Sequence, residues 1–287
     1  MSYLIKFKDD AADLIRFIRK PNDVQFNGTA GKKVSLIFNM LVLEIIFSLI
    51  FIFPLQYIVE KFIAVEESEI FKNLTLLNAV FLTVMIAPLS EELIFRYSLR
   101  YKKIFSIFMR REKWNQIFPF LVYGFSILFG FIHLNNYIND SWEFYALSPL
   151  IIASQLSGGL VLSYIRVRLN ILYSMLYHAI WNFLFAIIIP SLYVLFTPVF
   201  VESTSEYQIK IEEKAFVSTV TIHAHIEGDK IYEITARRYQ FQDLLDYIYG
   251  KGKLRTDEGL IDINFESKKG ISKDEFLKIL RKKYDIE

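Results

Sequence analysis

Between residues 34 and 200 the chain alternates long apolar runs with short polar breaks. A membrane-spanning helix needs about 20 mostly apolar residues. Five runs meet that length: Val34–Val59, Leu74–Phe95, Gln116–Leu134, Phe144–Ile165 and Asn170–Phe200. The last contains Pro190 and is long enough for two readings: one kinked span, or a span followed by a short interfacial, re-entrant or crossing piece. Every run holds a proline (Pro54, Pro88, Pro119, Pro149, Pro190). In a membrane helix proline usually means a kink, and Pro88 is placed to bend or open its helix just before Glu91. Ahead of the spans, MSYLIKFKDDAADLIRFIRK lacks the continuous apolar core of a signal peptide. Its apolar residues recur at helical spacing, with Lys6, Lys8, Arg16, Arg19 and Lys20 available to headgroup phosphates. This predicts an interfacial helix in residues 1–33, with a packed cytosolic helix as the alternative.

From Tyr207 the period changes. YQIKIEE, FVSTVTIHAHI, KIYEITAR and LIDINFES alternate or are β-branched, as strands do. EGDK (227–230) predicts a hairpin turn, YQFQDLLDYIYG a helix ended by Gly250, and SKDEFLKILRKKY a helix capped by Ser272 with Glu275 at its third position. The expected fold is therefore mostly α: a polytopic helical membrane protein of five to six spans, with a small C-terminal α+β domain. The domains are 1–33, a helical core 34–200, and a polar domain 201–287.

Composition supports that division. The chain is 53% hydrophobic, above the share usual for soluble domains. Residues 201–287 carry 15 Lys or Arg and 17 Asp or Glu, half of all charges in the chain. A net charge of +2 and the lack of a basic tract exclude a nucleic-acid partner. Without cysteine there is no disulfide, thiolate metal ligand or cysteine nucleophile. Lys32, Lys33, Arg96, Arg100, Lys102, Lys103, Arg110, Arg111, Lys113, Arg166 and Arg168 flank alternate span ends, against Glu60, Glu66, Glu67, Glu69, Asp140 and Glu143 on the other side. The bias places the N-terminus and the loops near 96–115 and 166–169 in the cytoplasm. The expected location is the cell membrane, multi-pass. Five spans would leave the C-terminal domain outside; a sixth would return it.

Few strongly polar side chains interrupt the spans: Glu44, Glu91 and Glu92, His133, and His178 with Asn182. A lone intramembrane His or Glu often serves helix packing, and that is the favoured reading of Glu44. Ser157, Gly158 and Gly159 read as a close helix contact. His223 and His225 read as one face of a strand. The set on three different spans is harder to assign to packing, because ionisable groups at membrane depth cost several kcal/mol unless paired or wet. Glu92 and Arg96 share one helix face, as do His178 and Asn182. A carboxylate that takes a proton from water, a histidine that donates or polarises, and an amide for developing oxyanion charge form a kit for hydrolysing an amide. A small proton-coupled transporter would use similar groups, but no inverted repeat is visible.

EELIFR (Glu91, Glu92, Arg96), FGFIH (Phe129, His133) and HAIWN (His178, Asn182) resemble, in order and rough separation, the motifs of the CAAX-protease and bacteriocin-processing family of intramembrane proteases. Tyr97 departs from the glycine that many members have after the arginine. The resemblance implies an intramembrane endopeptidase acting on a membrane-associated peptide or protein, prenylated or carrying a leader. Glu91 would activate water, Glu92 and Arg96 support or orient it, and His133 contribute to the water or metal site. His178 and Asn182 would stabilise the oxyanion, with Phe129 packed behind. No HExxH motif is present. Zinc held by two histidines and a glutamate stays open, and a metal-free Glu/His mechanism is preferred. The alternative function is a catalytically silent scaffold or immunity protein. One conflict stands: in ideal straight spans Glu91 and His133 fall about 25 Å apart, whereas catalysis needs them together.

Overall fold

The computed structural model of the chain describes residues 3–65, 68, 73–256 and 258–287. Glu66, Glu67 and Glu69, acidic residues that follow the first span, lie outside the described residues. By internal contacts the chain divides into two units, residues 1–71 with 81–183 and residues 72–80 with 184–287. The helices are α1 (Tyr3–Arg19), α2 (Ala30–Glu60), α3 (Leu76–Phe95), α4 (Lys103–Phe108), α5 (Arg111–Asn136), α6 (Trp142–Arg168) and α7 (Ile171–Phe196). Among the described residues α2, α3, α5, α6 and α7 are long and apolar enough to cross a membrane. Their outward faces carry large apolar side chains such as Phe51, Phe120 and Leu172. A helix satisfies its own backbone in lipid, so such faces suit a bilayer. The protein is a multi-pass membrane protein.

The prolines shape these helices. Wider, i→i+5 turns occupy Ser48–Ile52, Val80–Ile86 and Leu184–Ile188, just ahead of Pro54, Pro88 and Pro190. A proline lacks an N–H and its ring presses on the carbonyl four residues back. Widening the preceding turns relieves the clash while keeping the helix continuous. The fifth apolar run therefore forms one helix that ends at Phe196. A separate short crossing after Pro190 does not form, and Phe200 already opens a strand.

Helix α1 packs on α2 and α6 through Phe17, which is fully buried. Polar contacts fix it. The Asn39 amide donates to Asp10 at 2.6 Å. Arg168 Nε and the Tyr164 hydroxyl donate to Asp13 at 2.8 and 3.0 Å. Leu4, Ile5 and Ile15 remain exposed.

The C-terminal sheet holds β1 (Phe200–Ser203), β2 (Tyr207–Lys214), β3 (Thr221–Glu227), β4 (Lys230–Gln240) and β5 (Leu260–Ser272), in the order β1-β2-β5-β4-β3, with every pairing antiparallel. Helices α8 (Phe241–Tyr249) and α9 (Lys273–Leu280) cover one face, where Ile211, Ile234, Phe241, Leu244, Phe265 and Phe276 form the core. Gly250 (φ 98°) ends α8, and Ser272 with Glu275 forms the capping box on α9. His223 and His225 lie on the exposed face of β3. Strand β1 is the element that the apolar run conceals. β3 starts at Thr221 rather than Phe216, because residues 216–220 form a loop.

Candidate active site

Helices α3 and α7 run antiparallel, with Glu92 beside Ser174 and His178 at one level and Thr83 beside Asn182 at another. The imidazole of His178 lies between the two adjacent carboxylates: Nδ1 is 3.2 Å from Glu92 Oε1, and Nε2 is 3.6 Å from Glu91 Oε2. Because Glu91 and Glu92 differ by about 100° around the helix, their environments differ. Glu92 is fully buried, whereas the Glu91 side chain keeps 23% of its surface exposed. Glu91 Oε2 accepts no hydrogen bond among the described residues. Glu92 is held from three sides: the Ser174 hydroxyl donates to Oε2, and His178 and Arg96 (Nη1, 3.4 Å) meet Oε1. An ionised Glu92 fixes the His178 tautomer by accepting from Nδ1–H.

Arg96 is fully buried and lies over the Phe129 ring, its guanidinium carbon 3.9 Å from the centroid. Phe129 also touches both histidines, with ring centroids 4.6 Å from His133 and 5.8 Å from His178. Those two distances cap the separation of the imidazoles at their sum, and Glu91, His178 and Arg96 are close enough to act electrostatically on His133. His133 Nδ1 lies 2.7 Å from the Phe129 carbonyl, which assigns the proton to Nδ1 and leaves Nε2 as an acceptor. Gly159 lets α5 approach: a Cβ there would sit 3.2 Å from Ser126 and 3.3 Å from the Phe129 ring. That is the close contact expected of the small-residue patch.

The conflict over Glu91 and His133 is resolved by how α3 ends. Phe95 meets Phe129 at 5.6 Å, so the C-terminal ends of α3 and α5 stand side by side. The chain then runs back along α5, and Tyr101 reaches Trp114 at 5.7 Å. Residues 96–100 make tight turns, with the Leu99 N–H donating to the Arg96 carbonyl at 3.1 Å and the Arg100 N–H to the Ser98 carbonyl at 2.7 Å. Irregular backbone at such depth must be buried in protein and hydrogen-bonded. Arg166, 3% exposed, donates from Nε to the Arg96 carbonyl (2.9 Å) and from Nη2 to the Tyr97 carbonyl (3.1 Å). Arg100 donates to the Val167 carbonyl at 2.8 Å. Arg166 and Arg168, read as flanking charges, are thus buried and engaged within the protein.

Asn182 lies one turn beyond His178 and donates to the Thr83 carbonyl at 2.7 Å. In an i→i+5 pattern the partner of that carbonyl would be residue 88, a proline with no N–H. Asn182 therefore completes the helix where Pro88 interrupts it, and one amide hydrogen stays available for other use. Glu44 receives a hydrogen bond from Tyr177, which gives it the partner its burial requires, and its Oε1 lies 3.2 Å from where a Cβ on Gly158 would stand. Ser90 donates to backbone carbonyls of its own helix, and Tyr97 is exposed beneath the Lys102 ammonium. Sequence reasoning missed Ser174, Tyr177 and Arg166. The spacing Ser174, His178, Asn182 was the available signal for the first.

Among the described residues no three His, Cys, Asp or Glu side chains are grouped as a metal ligand set. Comparison with protein families matches residues 73–184 to a model described as Type II CAAX prenyl endopeptidase Rce1-like. No curated protein matches the chain, and no solved structure does. The matched stretch contains all three motifs and every residue from Glu91 to Asn182 described around the imidazole. Residues 73–184 are therefore similar to the Rce1-like, type II CAAX prenyl endopeptidase family.

Proposed function

We propose that the protein is an intramembrane endopeptidase that hydrolyses a peptide bond of a membrane-associated, lipidated substrate with water activated by Glu91. The observation that carries this reading is the asymmetry of the carboxylate pair: Glu92 is buried and held by hydrogen bonds from Ser174 and His178 and by the Arg96 ion pair, while Glu91 is part-exposed with an oxygen that accepts no hydrogen bond beside the imidazole.

In this reading Glu91 takes a proton from water, and the resulting hydroxide attacks the scissile carbonyl carbon. His133 Nε2, an acceptor because Nδ1–H is donated to Phe129, orients the water through its second hydrogen. His178 stabilises the oxyanion. Its Nδ1 faces Glu92, so the contact with the oxyanion falls to Nε2. The second Asn182 amide hydrogen assists. Collapse of the tetrahedral intermediate breaks the C–N bond, and Glu91 returns the proton to the leaving amine. Arg96, held on Phe129, lies 3.4 Å from Glu92 and keeps it in place. The cell membrane is the proposed location.

The test is cleavage by the reconstituted full chain of a library of membrane-anchored peptides, prenylated and unmodified, in 18O-labelled water. The reading expects products whose new C-terminal carboxylate carries one 18O, with prenylated members preferred. It also expects exhaustive chelation to leave the rate unchanged. Loss of cleavage on chelation with recovery on adding zinc would overturn the metal-free step, and no cleavage of any member would overturn the reading.

A further inference from the structure

The sheet domain contains one backbone feature that its core packing does not call for. Among the described residues Arg238 alone, apart from glycines, has positive φ (49°). It lies in a bulge of β4, where pairing with β5 breaks between Ala236 and Tyr239. Positive φ is unfavourable for a side chain as large as arginine, and residues held there tend to mark functional sites. Bulges re-aim side chains. The bulge is held on two sides: Arg238 N–H donates to Asp262 Oδ1 on β5 at 2.7 Å, and Arg238 Nη1 donates to the Phe216 carbonyl at 2.8 Å. The second bond ties the loop 216–220 to the bulge.

Loop and bulge enclose an open cleft of about 470 Å3. The hydroxyls of Ser218, Thr219, Thr221 and Thr235 line it, together with Arg237, Arg238 and Asp262. The Asp262 carboxylate is already engaged, by the Arg238 N–H and by Lys214 at 3.5 Å. Arg237 is exposed and makes no hydrogen bond or ion pair among the described residues, and it stands opposite Thr221 in the β3–β4 register. The cleft is therefore rich in donors: the hydroxyls of Ser218, Thr219 and Thr221, that of Thr235, which already donates to Asn264 at 3.5 Å, one unpaired guanidinium and the remaining nitrogens of a second. A carboxylate offers two oxygens to such a set. A phosphate ester offers three acceptor oxygens and a matching charge, and the volume leaves room for the group it esterifies.

We propose that this cleft is a second binding site, for a phosphate-bearing anion, with Arg237 as its principal contact. The phosphate could come from an anionic lipid headgroup or from a soluble phosphate ester, and the experiment separates them. Full-length protein in phosphatidylcholine nanodiscs is titrated with inorganic pyrophosphate by calorimetry. In parallel, nanodiscs containing a photoreactive phosphatidic acid are irradiated, and cross-links to residues 218–238 are mapped. Saturable binding or site-specific cross-linking in either arm is expected, weakened about tenfold or more by Arg237→Ala and partly regained by Arg237→Lys; the responsive arm identifies the source. Silence in both arms, or signals that Arg237→Ala and Arg237→Glu leave unchanged, would overturn the proposal. Arg237 is exposed and unpaired, so these variants should fold, and the far-UV spectrum checks that they do.

Discussion

At the scale of single residues, the site depends on one carboxylate being fixed so that its neighbour is free. Ser174 is the side chain that most directly tests this arrangement, because its hydroxyl donates to Glu92 Oε2 and it touches neither Glu91 nor His133 in any bond described here. Ser174→Ala should lower kcat about tenfold with KM little changed, the effect of about 1.4 kcal/mol from one hydrogen bond to a charged group; Ser174→Thr should restore most of it. A variant with unaltered kcat would remove Ser174 from the positioning chain. The motif residues were legible in the sequence because ionisable groups stand out in an apolar layer. Ser174 was not, because a serine in such a helix usually bonds back to its own backbone. Ser126, Ser163 and Ser191 do so here. Arg166 was misread for a related reason: a cation at a helix end looks like a membrane flank until the backbone carbonyls it serves are seen.

At the scale of elements, the sequence predicted the five spans to within about five residues at each end but not their interior geometry. Hydropathy reports apolarity and is blind to hydrogen-bond pattern, so the widened turns before Pro54, Pro88 and Pro190 left no trace beyond the prolines. The end of α3 at Phe95 was legible, but the turns that follow it were not, because their carbonyls are satisfied by an arginine distant in sequence. The link between Pro88 and Asn182 can be measured by a double-mutant cycle on stability in detergent. Asn182→Ala should cost about 1 kcal/mol by removing the amide's hydrogen bond to the Thr83 carbonyl. In a Pro88→Ala background, where residue 88 regains an N–H, that cost should shrink; strict additivity would contradict the coupling. Helix α1 gives a pH-dependent prediction. Burial pushes the Asp13 carboxyl up, but the hydrogen bond and charge of Arg168, with Tyr164, outweigh this and leave it below its ordinary value. A depressed carboxyl stabilises the fold above its unfolded pKa and ceases to do so as pH falls through the folded one. The Tm difference between the unmodified chain and Asp13→Asn should thus be steady near neutrality, begin to shrink near about pH 4, and vanish only at more acidic pH. A difference independent of pH would assign the effect to packing alone.

At the scale of the whole molecule, a membrane-spanning set of helices holds the candidate site and a sheet domain carries its own core. That division was legible in where the charges and the two-residue alternation begin. Its boundary was less so, since β1 (FVES) follows an apolar run without a break in composition. The core of the sheet domain lies wholly within residues 209–286, so residues 198–287 expressed alone should be soluble and unfold cooperatively on heating; a non-cooperative or insoluble product would show that it needs the rest of the chain. The central claim, that this molecule is an enzyme whose base is Glu91, is tested most directly by Glu91→Gln. The amide keeps size and hydrogen-bonding capacity but cannot accept the proton from water. Cleavage of a membrane-anchored peptide should fall about 100-fold or more, while peptide binding and Tm stay near those of the unmodified chain. Turnover at the normal rate by Glu91→Gln would contradict the account.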